Sequence, residues 1–323
     1  MNEKFMTKYI TLLGLATICC ALWGSAPVCI KLGYELFQIQ SSETMNILLF
    51  AGCRFTLAGF LVVAGYSLIR RKPVLPGKTS GKAILALALS QTAVQYLLYY
   101  IGVAHASGVK ASILSGSNTF FSVIIACLIF RQEKLNINKF LGCLAGVAGI
   151  VLINMTDAGS DLFSLDMSFL GEGFVLLSSL SGAVSAVLIR RFSQNNDAVM
   201  LSGYQFMTGG LMLVAVALAG GGQLTHVTGK GLLLLLYLAL VSAVAYTLWS
   251  LLLKYNPVSR VTVHNFLMPI FGVILSTLIL GEKGIFSMNT VGALILVCIG
   301  IYLVNAKKKE WQEKSYNFLR NKL

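Results

Sequence analysis

Residues 91–100 read QTAVQYLLYY, and residues 241–250 read VSAVAYTLWS. At an offset of 150 positions, Ala93, Val94, Tyr96 and Leu98 meet Ala243, Val244, Tyr246 and Leu248, with Thr92 over Ser242 and Tyr99 over Trp249. An echo at a fixed offset marks an internal repeat, and a repeat decides the fold before any local feature does. Both stretches are apolar and aromatic and carry no charge. They belong to a chain of 323 residues that is 56% hydrophobic and only 11% charged, with a mean hydropathy of +0.79. Soluble domains carry about 25% charged residues, so the composition predicts a membrane protein.

A helix needs about 20 apolar residues to cross the hydrocarbon core. Stretches of that kind fall at 9–31, 45–69, 83–104, 109–130, 139–155, 169–189, 198–219, 231–253, 260–280 and 287–305. The start, MNEKFMTKYITLLGLATICCALWGSA, has the basic beginning and apolar run of a secretory signal. Its run is about 20 residues against the roughly 7–15 of such signals, and further apolar stretches follow, so a retained first span is expected.

The net charge of +13 does not point to nucleic acid, which needs a basic face on a soluble fold. The basic residues instead form short clusters between apolar stretches. With the N-terminus inside, 20 of the 25 lysines and arginines fall on cytoplasmic segments. Lys31, Lys110, Lys230 and Lys283 fall outside, and Arg54 lies within a span. The positive-inside bias then places both termini in the cytoplasm. The outer connection MTDAGSDLFSLDMSFL (155–170) holds three aspartates and no basic residue, and divides the chain into halves of five spans. Five is odd, so the second half enters the membrane from the opposite side.

The expected fold is therefore an all-α integral membrane protein of ten transmembrane helices, arranged as two inverted five-helix repeats. The first repeat covers 1–155, the second 156–305, and 306–323 form a basic cytoplasmic tail. The amphipathic tail, KKKEWQEKSYNFLRNKL, is expected to rest on the anionic inner leaflet. Other segments repeat too: SGVKASILSGSNTFF (107–121) with PVSRVTVHNFLMPIF (257–271), CRFTLAG (53–59) with YQFMTGG (204–210), and ALWGSAPV (21–28) with SLSGAVSA (179–186). QEK (132–134) meets GEK (281–283), and GVAGIVLIN (146–154) meets LVCIGIYLVN (296–305).

This organisation, with Trp23-Gly24-Ser25, Lys31, Arg54, Pro269, Gly281-Glu282-Lys283 and the glycines Gly142, Gly146, Gly149, Gly292 and Gly300, resembles the EamA-type transporters of the drug/metabolite transporter superfamily. The likeness covers residues 9–305. It departs from the family at Thr119, where a proline is usual, and at Asn118, where a glutamate is common. The resemblance implies a bacterial inner-membrane carrier, usually an exporter of amino acids or related metabolites, with a cavity between the halves. Inverted-repeat carriers in general hold substrate near the midplane at the repeat interface.

Gln91, Gln95 and Tyr99 recur at intervals of four residues on one helical face, with Thr92, Tyr96 and Tyr100 beside them. Ser242, Tyr246, Trp249 and Ser250 repeat the pattern. Amides and phenols are costly against lipid, so these stripes belong to a cavity or to interhelical hydrogen bonding. The expected substrate-binding residues are Trp23, Gln95, Tyr96, Tyr99, Tyr100, Ser115, Asn118, Tyr246, Trp249, His264 and Asn265. Ser178, Ser181 and Ser185 read first as a close-packing surface. Arg54, near the centre of a span, is either functional or a lock onto backbone carbonyls, and the lock is the favoured role.

No carboxylate is expected in a span interior, with Glu133 and Glu282 at helix ends, so proton coupling has no obvious carrier there. His264 could titrate or simply pack. The seven cysteines (Cys19, Cys20, Cys29, Cys53, Cys127, Cys143 and Cys298) show no metal-like spacing, and neither metal nor cofactor is expected. The expected partners are a small-molecule substrate and membrane lipids, with a monomer or homodimer equally open. A membrane-embedded enzyme is disfavoured because no span holds a nucleophile–base pair. A channel is disfavoured because the polar residues are scattered and do not form a continuous pore. Import with the same fold stays open beside export.

Overall fold

A computed structural model describes residues 3–77, 80–154, 167–280 and 288–305. The expected 155–165 connection, the Gly281-Glu282-Lys283 motif and the basic tail lie outside the described residues, as does the side chain of Pro269.

Every regular element among the described residues is helical, with no strand. Helix α1 is Tyr9–Leu36 and α2 is Thr44–Arg70. Helix α3 is Gly81–His105, and α4 is split into Gly108–Ser115 and Asn118–Ile129. Then come α5 (Ile137–Asn154), α6 (Phe169–Phe192), α7 (Ala198–Ala219) and α8 (Gly229–Tyr255). Helix α9 runs over 258–280 and α10 is Met288–Asn305. Six of these, α1, α2, α3, α6, α7 and α8, are long and apolar enough to cross a membrane. The chain is a multi-pass membrane protein. Large apolar side chains stand on the outside, among them Ile10 at 83% and Leu68 at 78% exposure, which lipid tolerates and water does not.

Helix starts are set by local chemistry. Asp197 Oδ1 accepts the amides of Val199 and Met200 at 2.9 and 3.0 Å, and Thr228 Oγ1 accepts Gly231 N at 3.1 Å. Each satisfies a donor that the first turn leaves unpaired. At α6 the exchange is reciprocal. Ser168 Oγ accepts Gly171 N at 3.3 Å, and Glu172 Oε2 accepts Ser168 N at 2.9 Å. Glu172 is buried in the first turn of α6 and pairs with Lys110 at 3.6 Å. A carboxylate therefore does stand within the stretch 169–189, at its end, where capping and an ion pair offset its desolvation.

Helix α2 packs along α7, α5 along α10, α1 against α8 and α9, and α6 against α3 and α4. Small residues permit the first of these contacts. A Cβ on Gly59 would stand 2.6 Å from the Gly203 carbonyl oxygen and run into the Met207 amide. Two apolar clusters fill the space between helices. Tyr34, Phe37, Phe50, Phe55, Tyr100 and Phe206 anchor one, and Cys19, Cys20, Leu252, Leu253, Val258 and Val261 belong to the other. The central cavity has lining residues in both.

Helical regularity fails in π-helical segments at Ala88–Val94, Ile125–Ile129 and Phe169–Gly173, at the break at 116–117, and in a 3₁₀ segment at Val263–Phe266. The first π-helical segment, the break and the 3₁₀ segment border the cavity described next.

Candidate functional site

Between α1, α2, α3, α4, α6, α8 and α9 lies a cavity of about 90 Å³. That is room for several waters or a small polar group. Trp23 enters from α1, Arg54 from α2, and Gln91, Gln95, Tyr96 and Tyr99 from α3. Ser115 and Asn118 flank the break in α4, Ser178, Ser179 and Gly182 line it from α6, Tyr246 and Trp249 from α8, and Asn265 and Met268 from α9. The interrupted helices matter here because a break frees polar groups to face a cavity instead of a helical neighbour.

Trp23, Gln95, Tyr96, Tyr99, Ser115, Asn118, Tyr246, Trp249 and Asn265 thus come together from distant parts of the chain. Tyr100 and His264 do not line the cavity. Tyr100 is fully buried beside it, where its hydroxyl accepts from Arg54 Nη1 at 2.8 Å and its carbonyl accepts from Tyr34 at 3.0 Å. His264 Nδ1 lies 3.3 Å from its own helix's Val261 carbonyl, and its backbone carbonyl accepts from Cys20 Sγ at 3.0 Å. The serine stripe divides. Ser181 donates to the Ser90 carbonyl at 2.6 Å and Ser185 meets Ser90 Oγ at 3.2 Å, which is helix packing, whereas Ser178 lines the cavity.

The aromatic groups form a continuous wall. Trp23 lies 4.7 Å from Tyr246 and 4.9 Å from Trp249, ring centre to ring centre. Phe55 lies 4.0 Å from Tyr96, and the hydroxyls of Tyr96 and Tyr246 are hydrogen-bonded to each other. At one end sit the amides. Asn265 Nδ2 donates to Asn118 Oδ1 at 3.2 Å and Asn118 Nδ2 donates to the Ser179 carbonyl at 3.0 Å. Gly182 makes room for them, since a Cβ there would stand 2.6 Å from Asn118 Nδ2 and 3.0 Å from Gln95 Nε2.

Arg54 supplies the charge. It is 1% exposed, and its Nε donates to the Leu238 carbonyl at 3.0 Å and to Ser242 Oγ at 3.1 Å. With the bond to Tyr100, these contacts lock α2 to α3 and α8, as the favoured role required. The guanidinium nonetheless lines the cavity as well, and no carboxylate among the described residues pairs with it. Three further polar atoms of lining residues are buried without a hydrogen-bond partner among the described residues: Trp23 Nε1, Gln95 Oε1 and Asn265 Oδ1. Unpaired buried polar atoms cost about 1–3 kcal/mol each, a cost that a ligand with matching groups removes. Arg54 could have been assigned to the cavity from its central position alone. Ala26, Ala186, Ile189 and Met268, which also line it, carry no chemical signal to find.

Residues 10–155 and 169–306 each match the EamA-like transporter family. A WAT1-related chloroplastic protein of Arabidopsis thaliana is 27% identical over 88% of this chain and 66% of its own length. An uncharacterized transporter of Archaeoglobus fulgidus is 25% identical over 92% of this chain and 98% of its own. The uncharacterized inner membrane transporter YedA of Escherichia coli K12 is 26% identical over 88% and 90%. A crystal structure at 17% identity superposes with a TM-score of 0.68 over 93% of this chain and 98% of that one, a likeness of fold.

Proposed function

Since this chain belongs to the EamA-like transporter family, and is a membrane transporter by that membership, we propose that it is a secondary carrier exporting a small metabolite, an amino acid or a related compound, across the cytoplasmic membrane. The cavity is the substrate site and works by alternating access between two inverted halves of five helices, with both termini inside.

Matched contacts support the inverted halves. Gly24 of α1 abuts the Met268 carbonyl of α9 at 3.0 Å from a built Cβ, and Gly182 of α6 abuts Asn118 of α4. By sequence Gly24 corresponds to Gly182 and Asn118 to Met268. Arg54 donates to Ser242 at 3.1 Å, and Thr92 donates to Gln205 at 2.8 Å; Arg54 corresponds to Gln205 and Thr92 to Ser242. Such exchanged pairs are what a two-fold relation between the halves produces.

The observation that carries the substrate class is Arg54 lining the cavity with no carboxylate among the described residues paired to it. A carboxylate on the substrate supplies the missing charge, and the unpaired amide oxygens of Gln95 and Asn265 accept from an amino or hydroxyl group on the same molecule. The aromatic wall takes its apolar part. The test is counterflow into proteoliposomes with labelled amino acids and small carboxylates. Saturable exchange of one class, absent from liposomes without protein, is expected; flux that rises linearly with concentration would indicate a channel, and no flux of any carboxylate would remove Arg54 as a counter-ion.

A further inference from the structure

A second concavity, of about 880 Å³, lies on the outer face of α2 and α8, away from the central cavity. Its walls are apolar along the middle of both helices, with Leu61 on α2 and Leu240, Val244 and Leu251 on α8. Its mouth is not apolar. Arg70, the last residue of α2, and Lys254, in the last turn of α8, both border it, with Asp197 between them. Cations at helix C-termini are favourable in themselves, but that explains the charges and not the long apolar groove that ends on them.

The charges at the mouth are incompletely used. Asp197 Oδ1 accepts two amides of α7, and Oδ2 accepts from Tyr66 at 2.7 Å and from Arg70 Nη2 at 3.4 Å. Arg70 Nε also donates to Tyr66 at 3.0 Å, which leaves Nη1 with no partner among the described residues. Lys254 Nζ reaches the Asn196 carbonyl at 3.5 Å and lies 5.8 Å from the centre of the Tyr255 ring, and no carboxylate among the described residues pairs with it. Two cations against one carboxylate leave a net single positive charge, which a monoanion neutralises.

A third observation lies deeper. Thr247 borders the groove, and its hydroxyl is buried with no hydrogen-bond partner among the described residues. A threonine within a helix usually donates to the carbonyl four residues earlier, and this one does not. It stands seven residues before Lys254, about 10 Å along the helix toward the membrane interior at 1.5 Å per residue.

We propose that this groove is a binding site for one anionic phospholipid. The phosphodiester sits between Arg70 Nη1 and Lys254 Nζ. A fatty-ester carbonyl, which in a glycerophospholipid lies on the hydrocarbon side of the phosphate, accepts from Thr247 Oγ1. An acyl chain lies along Leu61, Leu240 and Val244. Basic pockets between membrane helices near the bilayer surface bind anionic headgroups in this way. The site does not depend on the identity of the transported substrate.

The test is native mass spectrometry of the full chain in detergent, titrated with dioleoylphosphatidylglycerol or dioleoylphosphatidylcholine. The first phosphatidylglycerol is expected to bind at least five-fold more tightly than phosphatidylcholine. Arg70→Gln with Lys254→Gln should remove that preference, and Thr247→Val should weaken the first bound lipid of either kind by a few-fold. Lys254→Gln alone serves if the double variant is not monodisperse on size exclusion. Equal binding of the two lipids by the native protein, or a preference unchanged in the charge variants, overturns the proposal. So does a dimer that Val244→Trp abolishes while lipid binding stays the same, because a second copy would then be the occupant.

Discussion

The hydroxyls of Tyr96 and Tyr246, residues 150 positions apart, are hydrogen-bonded to each other at the wall of the central cavity. They are the two tyrosines that the repeated sequence sets in correspondence. Each ring is held by its own neighbours: Phe55 lies 4.0 Å from Tyr96 and Trp23 4.7 Å from Tyr246, centre to centre. The pair therefore joins α3 to α8 across the wall of the cavity. Arg54, bonded to Ser242 and Tyr100, holds the same two helices. Its charge thus reaches both the cavity and the contact between α3 and α8.

Orientation is open to a direct test. A reporter fused after Leu323 is expected to be cytoplasmic, and one inserted in the 155–165 connection external. A cytoplasmic signal from that connection would break the division into halves of five spans, and the inverted repeat with it.

The α2–α7 contact predicts a contrast between two glycines on one helix. At Gly59 an added methyl group meets backbone atoms of Gly203 and Met207, which cannot yield unless the helices separate. At Gly65 none of the described residues lies within 4 Å of an added methyl group. Overpacking costs about 1–3 kcal/mol, whereas alanine in an open helical position gains up to about 1 kcal/mol over glycine. Gly59→Ala should lower the melting temperature in detergent and Gly65→Ala should leave it unchanged or raise it. Equal melting temperatures would mean that α2 and α7 do not pack this closely.

Glu133, in the segment between α4 and α5, should make stability depend on pH. Burial by itself raises its carboxyl, but Lys139 Nζ at 2.8 Å and the donors of Ser259 outweigh that and hold it below its ordinary value. The Ser259 amide donates at 3.1 Å, and its hydroxyl donates to the other oxygen. A folded value below the unfolded one means that the unfolded chain takes the proton first as pH falls. The stabilisation is whole above the unfolded value, about 4.3, and disappears as pH drops through the folded value. Glu133→Gln should therefore melt lower than the native protein at neutral pH. A hydrogen bond to a charged group is worth about 1.5–3 kcal/mol, and the two melting curves should converge under acid conditions. A constant gap at all pH values would assign the loss to packing.

The helix positions and most of the polar wall were legible because both leave a pattern in the residues: apolar runs of membrane length, and amides and phenols at intervals of four. What escaped has physical causes. Tyr96 and Tyr100 share one helical face at i and i+4, and periodicity cannot say that Tyr96 reaches the cavity while Tyr100 turns to Arg54. His264 sits in a 3₁₀ segment, where the 3.6-residue period no longer applies. The same holds for the π-helical Ala88–Val94, whose extra residue per turn has no signature in composition. Within the leucine run of α8, Leu234 is half-buried while its neighbour Leu233 is exposed at 69%, a difference that composition does not reveal.

The paired tyrosines give the sharpest test. Tyr96→Ala and Tyr246→Ala should each reduce the initial transport rate per folded protein, because each removes a ring from the wall together with a hydroxyl. Leu233→Ala should do little. The phenylalanine variants separate two causes. If the hydroxyls serve only each other, either single replacement strands one buried hydroxyl, at about 1–3 kcal/mol, whereas removing both is nearly neutral. Tyr96→Phe with Tyr246→Phe should then transport better than either single variant. If the hydroxyls also bind substrate, the double variant should be the worst of the three, with apparent affinity falling several-fold at each step. The measurement is the concentration dependence of counterflow in proteoliposomes, with variants matched by size exclusion. The second outcome would add the two hydroxyls to the groups that meet the substrate, and normal transport by both alanine variants would reduce the tyrosine echo to shared packing.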